Sequence, residues 1–238
     1  MTRPLFRETP YAREATARVI RVAEDGALVV DVSVFYPAGG GQPGDSGTLR
    51  WEDGEAAIAD TRKEGATEVA LIPAEGAATP PPGTEVTMIL DWDRRHRHMR
   101  VHTALHLLSV VIPLPVTGGA IGAGKGRLDF DMPEAPEDKQ ALEDALNALI
   151  ARDLSVSERW ITDDEMAANM DLVKTMSVAP PTGQGRVRLV RIGTRDEQVD
   201  LQPCGGTHVA STAEIGPVRL GKIEKKGKQN RRVSLFLA

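Results

Sequence analysis

Residues 16–36, ARVIRVAEDGALVVDVSVFYP, read as two β-strands folded about an Asp25-Gly26 turn. Further strand-like runs follow at Gly47–Trp51, Ala56–Asp60, Glu68–Ile72 and Glu85–Leu90, with glycine-containing turns between them. The run AATPPPG, residues 77–83, reads as a surface loop near a domain edge. Many short strands at such close spacing predict a small β-barrel domain over residues 1–90.

Beyond residue 90 the pattern changes. Arg95–Val111 lacks Gly and Pro and sets Met99, Leu105, Leu108 and Val111 at spacings that suit a helix. Gly122–Asp131 reads as a strand and Glu137–Arg152 as an amphipathic helix. Ser155–Ile161 reads as a strand and Asp163–Met170 as a short helix. Arg186–Ile192, Gln198–Leu201, the flanks of Ile223 and Arg232–Leu237 complete the strands. Residues 91–238 are therefore expected to form a second domain, of α+β class, and no internal repeat is visible.

The chain of 238 residues is long enough to bury a core without covalent staples, and its single cysteine, Cys204, excludes an intrachain disulfide framework. The N-terminus carries no apolar signal segment, and the longest apolar stretch, Leu107–Val116, is broken by Pro113 and Pro115. These features predict a soluble cytoplasmic protein with no membrane partner. The net charge of -5 argues against a general nucleic-acid coat. Yet Arg219–Arg232 holds seven bases and one acid, and Arg94, Arg95, Arg97 and Arg100 form a second basic cluster. A locally basic face on an acidic chain fits recognition of one particular nucleic acid. Lys222, Lys225, Lys226, Lys228, Arg231 and Arg232 are the first candidates for phosphate contacts, with the Arg94–Arg100 cluster second.

Two i,i+4 pairs carry the sharpest chemistry: His102-Thr-Ala-Leu-His106 and Cys204-Gly-Gly-Thr-His208. On a helix, residues four apart share a face at about 5–6 Å, close enough to hold one metal ion. Three imidazoles and a thiolate suit zinc, one ion per chain. Four protein ligands fit a closed structural site. They also fit a site with a fifth, exchangeable position or a ligand that swings away. Cys204 as a nucleophile with His208 as its base would leave the His102/His106 pair idle. His98, on the same helical face, is expected to be a solvated surface residue.

Gly39-Gly40-Gly41-Gln42-Pro43-Gly44-Asp45 follows the VFYP run. Its glycines allow close backbone approach, and Gln42 offers both a donor and an acceptor. Gly119–Lys125 approaches a phosphate-binding loop. However, Gly126 stands where a Ser or Thr is needed, and a strand follows rather than a helix. Nucleoside triphosphate binding is therefore not expected.

FYPAGGGQPGD (35–45), RVHTALHLL (100–108) and CGGTHVASTAEIG (204–216) together resemble the stand-alone alanyl-tRNA editing proteins of the AlaX type. These are similar to the editing domains of alanyl- and threonyl-tRNA synthetases. The resemblance implies an N-terminal β-barrel followed by an α+β editing domain shared with those synthetases. It implies zinc-dependent hydrolysis, in trans, of tRNA(Ala) mischarged with serine or glycine. It places zinc on His102, His106, Cys204 and His208, and Gln42 in or near the aminoacyl pocket. Ser33 stands where the family usually has a Thr that helps sense the serine side chain; the exchange keeps the hydroxyl and loses a methyl.

Two other readings remain open at this level. One is a non-catalytic, zinc-stabilised tRNA-binding module, which would lose its fold on chelation. The other is a metal hydrolase for a different ester or amide, indifferent to the basic cluster.

Overall fold

A computed structural model describes residues 1–175 and 185–238. The chain divides into two compact units, Met1–His96 and Arg97–Ala238. The division falls within a helix, at residue 96 rather than at the strand end at residue 90.

The first unit contains β1 (Arg3–Pro4), α1 (Leu5–Glu8), β2 (Glu14–Val22), β3 (Leu28–Val30), β4 (Val32–Ser33), β5 (Gly47–Trp51), β6 (Gly54–Glu64), β7 (Glu68–Pro73) and β8 (Glu85–Leu90). Six strands close a barrel in the order β2-β3-β7-β6-β5-β8, and Glu14–Arg18 pair with Glu85–Ile89 to complete the ring. Closure leaves no exposed strand edge in that ring. Alternate residues point inward: Val86, Met88 and Leu90 of β8 join Leu49, Ile58, Val19 and Leu71 in one core with Phe35 and Tyr36. The Asp25-Gly26 turn is closed by the Ala23 N–H on the Ala27 carbonyl at 2.8 Å.

The glycine–glutamine loop hangs from this barrel. Gly39 and Gln42 exchange both backbone hydrogen bonds at 3.0 Å, so Gly40 and Gly41 are the central pair of a tight turn. Their φ values of +58° and +81° are the left-handed pair that such a turn needs and that glycine supplies. The loop's end is anchored by Asp45. Its buried carboxylate accepts the Tyr36 N–H at 2.6 Å and the Arg95 Nε–H at 2.8 Å. Arg95 also donates to the Val34 carbonyl at 2.8 Å.

Helix α2 (Trp92–Val111) starts earlier than its apolar spacing predicts, because the Asp91 side chain accepts the Arg94 N–H at 3.1 Å and caps it. Its stretch in the second unit is enclosed almost all round: residues 98–109 are buried, apart from the half-buried Arg100.

The second unit adds β9 (Val116–Ile121), β10 (Lys125–Asp131), α3 (Lys139–Ala151), β11 (Val156–Thr162), α4 (Asp163–Ala167), β12 (Arg186–Gly193), β13 (Gln198–Pro203), β14 (Val218–Leu220), β15 (Glu224–Lys225) and β16 (Asn230–Leu237). One sheet runs β14-β16-β10-β9, with β15 also on β16; a second, antiparallel sheet runs β11-β12-β13. Gly119–Lys125, with its likeness to a phosphate loop, is the β9–β10 hairpin. Its glycines hid β9, which lies at the sheet edge and draws its pairing from β10. Gly126 lets α2 sit close: a Cβ there would lie 2.5 Å from Val101 Cγ1. Helix α3, N-capped by Asp138, covers the outer edge of β14. Asn147 donates to the Val218 carbonyl and accepts its N–H at 2.9 and 3.0 Å, and Glu143 accepts the Leu220 N–H at 2.7 Å. No described helix is long and apolar enough to cross a membrane.

Candidate metal centre

Helix α2 places His102 and His106 one turn apart, and the chain leaving β13 brings Cys204 and His208 to meet them. One donor atom from each of the four lies within 4.8 Å of all the others. Cys204 Sγ is 3.4 Å from His102 Nε2 and 3.2 Å from His208 Nε2. Metal–nitrogen bonds of about 2.0–2.1 Å and a metal–sulfur bond of about 2.3 Å put tetrahedral neighbours roughly 3.3–3.6 Å apart. The donor set and its spacing therefore fit one tetrahedral ion. The three histidines are buried, whereas Cys204 is half-buried.

Hydrogen bonds on the far side of two of the rings fix how they face the centre. His106 Nδ1 lies 3.0 Å from Asp200 Oδ2, so Nδ1–H donates to the carboxylate and Nε2 faces inward. Asp200 is itself held by Lys174 Nζ at 2.6 Å and Gln202 Nε2 at 2.7 Å. Thr103 Oγ1 donates to the Met99 carbonyl at 3.0 Å and lies 3.1 Å from His208 Nδ1. With its one hydrogen spent on Met99, the hydroxyl accepts from Nδ1–H and leaves the His208 Nε2 lone pair inward. The Cys204–Gly206 turn is pinned by Arg188 of β12, which donates to the Cys204 and Gly206 carbonyls, each at 2.8 Å. The Gly206 N–H points at Cys204 Sγ, 3.5 Å away.

Ionisation follows from these contacts. Burial would raise the Cys204 thiol, but His102 and His208 outweigh it and hold the pKa well below its ordinary value. Burial, and after it the neighbouring His102, push His208 well below 6.5, so it is neutral. Burial opposes charge on His106, yet the Asp200 and Cys204 contacts prevail and raise it to about 9. Burial likewise opposes charge on Asp200, and the His106 hydrogen bond leads in bringing it down to about 2. Thiolate and neutral imidazole are the ligand forms; His106 must release a proton before it can bind a metal.

Other expected residues are placed differently. His98 is 2% exposed, so it is not a surface residue; the helix that carries it is enclosed. Ser33 is fully buried, donating its hydroxyl hydrogen to the Phe35 carbonyl at 2.9 Å and accepting the Phe35 N–H at 3.1 Å. The hydroxyl expected to sense a substrate is thus committed to its own backbone. Gln42 is buried at the glycine turn. Of the second basic cluster, Arg95 is fully buried on Asp45 and cannot meet a phosphate. Arg94 donates to the Gly44 carbonyl at 3.2 Å, Arg100 to that of Ile215 at 2.7 Å, and Arg97 is exposed. In the first cluster Lys222, Lys225 and Lys228 are exposed. Lys226 pairs with Glu224 at 2.6 Å and Arg232 with Asp129 at 2.7 Å, while Arg231 donates to the Pro133 carbonyl.

Thr103, Asp200, Gln202, Lys174 and Arg188 were not found from sequence. The signal for two of them was present: in QVDLQPC, alternation puts Asp200 and Gln202 on the face of β13 that continues to Cys204. Polar residues at core-facing strand positions call for a polar partner.

Residues 187–234 match the family described as the threonyl and alanyl tRNA synthetase second additional domain. Residues 8–94 match that of the class II (A) tRNA synthetases. The alanine–tRNA ligase of Pyrobaculum neutrophilum is 36% identical over 233 residues, 94% of this chain but 25% of the ligase. The chain thus spans about a quarter of the ligases it matches. The alanyl-tRNA editing protein AlaX-M of Methanosarcina acetivorans is 36% identical over 247 aligned residues, 100% of this chain and 99% of that protein. That of Methanosarcina barkeri is 36% identical over 245, again 100% and 99%. With its barrel, its α+β second unit and its His/Cys cluster, the chain belongs to the AlaX-M family of alanyl-tRNA editing proteins.

Proposed function

We propose that this protein is a trans-editing deacylase in the cytoplasm that hydrolyses Ser-tRNA(Ala), and secondarily Gly-tRNA(Ala), at a zinc site. The observation that carries this reading is the His102/His106/Cys204/His208 cluster in a chain aligned end to end with AlaX-M proteins. The reaction splits the ester to the terminal ribose: water adds to the carbonyl carbon, the ribose oxygen leaves with a proton, and the free amino acid departs. When bound, zinc would act as a Lewis acid, bringing a water pKa down to about 7 or holding the aminoacyl group.

The chain's own residues hold the ligands for that work. Asp200 keeps His106 Nε2 inward, Thr103 does the same for His208, and Arg188 fixes the turn that carries Cys204. The half-buried Cys204 marks the side of the cluster open to a substrate.

Editing is needed because an apolar pocket rejects a near-isostere with an added hydroxyl only about a hundredfold, whereas a site that hydrogen-bonds it reaches about 10⁴–10⁵. Gln42 is the residue to which we assign that selection. Ser33 supports it by fixing the Phe35 backbone ahead of the loop. Lys222, Lys225 and Lys228, with Lys226, Arg231 and Arg232 beside them, are assigned to the tRNA phosphates.

Deacylation of Ser-tRNA(Ala), with Ala-tRNA(Ala) alongside, tests this reading. Loss of serine with alanine spared is expected, along with loss of that preference in Gln42→Ala. If zinc-loaded protein binds the tRNA but hydrolyses neither ester, the non-catalytic binding module becomes the better account.

A further inference from the structure

We propose that the solvent-facing side of the β14-β16-β10-β9 sheet is the surface that grips the sugar–phosphate backbone of the tRNA, with Lys125 and Arg219 as its central cations. This rests on the chain acting on tRNA, and extends the contact to residues nearly a hundred positions apart in sequence. The strand register makes the juxtaposition. Phe236 of β16 is paired with Arg219 of β14 on one side and with Lys125 of β10 on the other. Strands lie about 4.8 Å apart, so this row spans about 10 Å. Two residues along, Ser234 pairs with Arg127, and the next row brings Arg232 opposite Asp129. Val218, Leu220, Val233, Leu235 and Gly126 alternate with these residues and are buried; on the opposite face Lys125 and Arg219 are exposed and Arg127 and Arg232 half-buried, with Ser234 buried between them.

The charge on this face does not cancel. Asp129 is already bound by Arg232, at 2.7 and 2.9 Å, and by Arg127. Glu224 is held by Lys226 at 2.6 Å. Lys125 and Arg219 are exposed and form no ion pair among the described residues. Lys222, just past β14, and Lys225 of β15, paired with Arg231, are exposed and add to the same charge. All this stands on a chain whose net charge is -5, so the basic face is a local departure from the whole. The Phe236 ring carries the Lys125 ammonium 5.1 Å from its centroid, a contact that restrains the side chain on the face.

A polyanion is the complement of such a face. RNA is favoured over an anionic membrane because insertion needs large apolar side chains. The exposed ones, such as Tyr11, Ile20, Leu114, Trp160 and Met170, all lie outside these strands.

The test is the double variant Lys125→Ala/Arg219→Ala, with Arg152→Ala, an exposed arginine paired with Glu197, as the control. Binding of uncharged tRNA(Ala) is followed from low to high salt, and KM and kcat are measured on Ser-tRNA(Ala). Loss of two phosphate contacts should flatten the slope of log K against log salt by about 1.4–1.8. KM should rise, kcat at saturation and the melting temperature should hold, and the control should keep its slope. An unchanged slope and KM in the double variant overturns the proposal, as does an equal shift in the control. So does loss of binding to phosphatidylserine vesicles with tRNA binding intact. The two readings fail separately. Wild-type protein that binds tRNA through this face but hydrolyses nothing defeats only the deacylase reading. Normal hydrolysis with an unaltered slope and KM in the double variant defeats only the surface.

Discussion

Replacing Asp200 by Asn should weaken metal binding strongly at pH 9 and hardly at all at pH 7. The carboxylate is 2% exposed and accepts from three groups: His106 Nδ1 at 3.0 Å, Lys174 Nζ at 2.6 Å and Gln202 Nε2 at 2.7 Å. It has two opposed effects on the metal. In the loaded site it orients His106 and raises its basicity, a role worth about 10–100-fold in metal affinity. In the metal-free site it also holds a proton on His106, up to a pKa of about 9. At pH 7 that pKa is two units higher than the solution, so a metal must displace the proton at a loss of about a hundredfold in apparent affinity. The sign follows directly. Raising the pH from 7 to 9 removes the competition, and wild-type affinity should climb about tenfold per unit. In Asp200→Asn the main group raising the His106 pKa is gone, so its affinity should be nearly flat over the same range. The curves should lie within about tenfold of each other at pH 7 and separate by about 10–100-fold at pH 9. A competition titration of zinc against a chromophoric chelator at pH 7, 8 and 9 reads this out without any activity assay. Parallel curves, or equal affinities at pH 9, would show that Asp200 does not act through His106.

Two other substitutions probe the supports of the loop and the helix. Gly126→Ala places a methyl 2.5 Å from Val101 Cγ1 and 3.0 Å from Leu105 Cδ1 in a packed core, for a loss of about 1–3 kcal/mol in urea unfolding. Unchanged stability would mean that α2 does not rest on β10 at this point. Arg95→Met leaves the buried Asp45 carboxylate without its counter-ion, at about 3–5 kcal/mol, and adding Asp45→Asn should recover part of the loss. If the single variant unfolds like the wild type, the pair contributes nothing to the anchoring of the glycine–glutamine loop.

What sequence reveals here depends on how local each determinant is. β5 and β8 fall on the residues read for them, Gly47–Trp51 and Glu85–Leu90, because each is short and ends at a turn. The i,i+4 pairs were visible because helix and turn geometry set their spacing within five residues. The failures are all matters of partnership across the chain. Arg95 looks like one more exposed base until Asp45, fifty positions earlier, takes its guanidinium. His98 looks solvent-facing because His, Thr and Ser count as polar in a helical pattern, yet α2 is enclosed over most of its length in the second unit. β9 was lost because glycines weaken a strand pattern, and most of its pairing comes from β10, with one further bridge from Val116 to Thr175.

The way the candidate ligands are held bears on whether the metal centre is structural or catalytic. In a small domain that folds only around its metal, the ion supplies the missing core. The second unit has its own. Leu146, Ile150, Phe130, Val233 and Leu235 are buried in it, and α3 saturates the edge of β14. Three of the four candidate ligands have a protein group behind them: Asp200 for His106, Thr103 for His208, and the Gly206 N–H for the Cys204 sulfur. These groups orient two of the rings and the turn toward the centre, as supporting hydrogen bonds do for metal ligands in general. Cys204 is the one half-buried residue of the four, so the cluster is least covered there, and a purely structural ion gains nothing from an open side. The independent core and the lesser cover over Cys204 thus favour an open centre over a zinc-dependent folding clamp, a distinction that ligand spacing in the sequence left open.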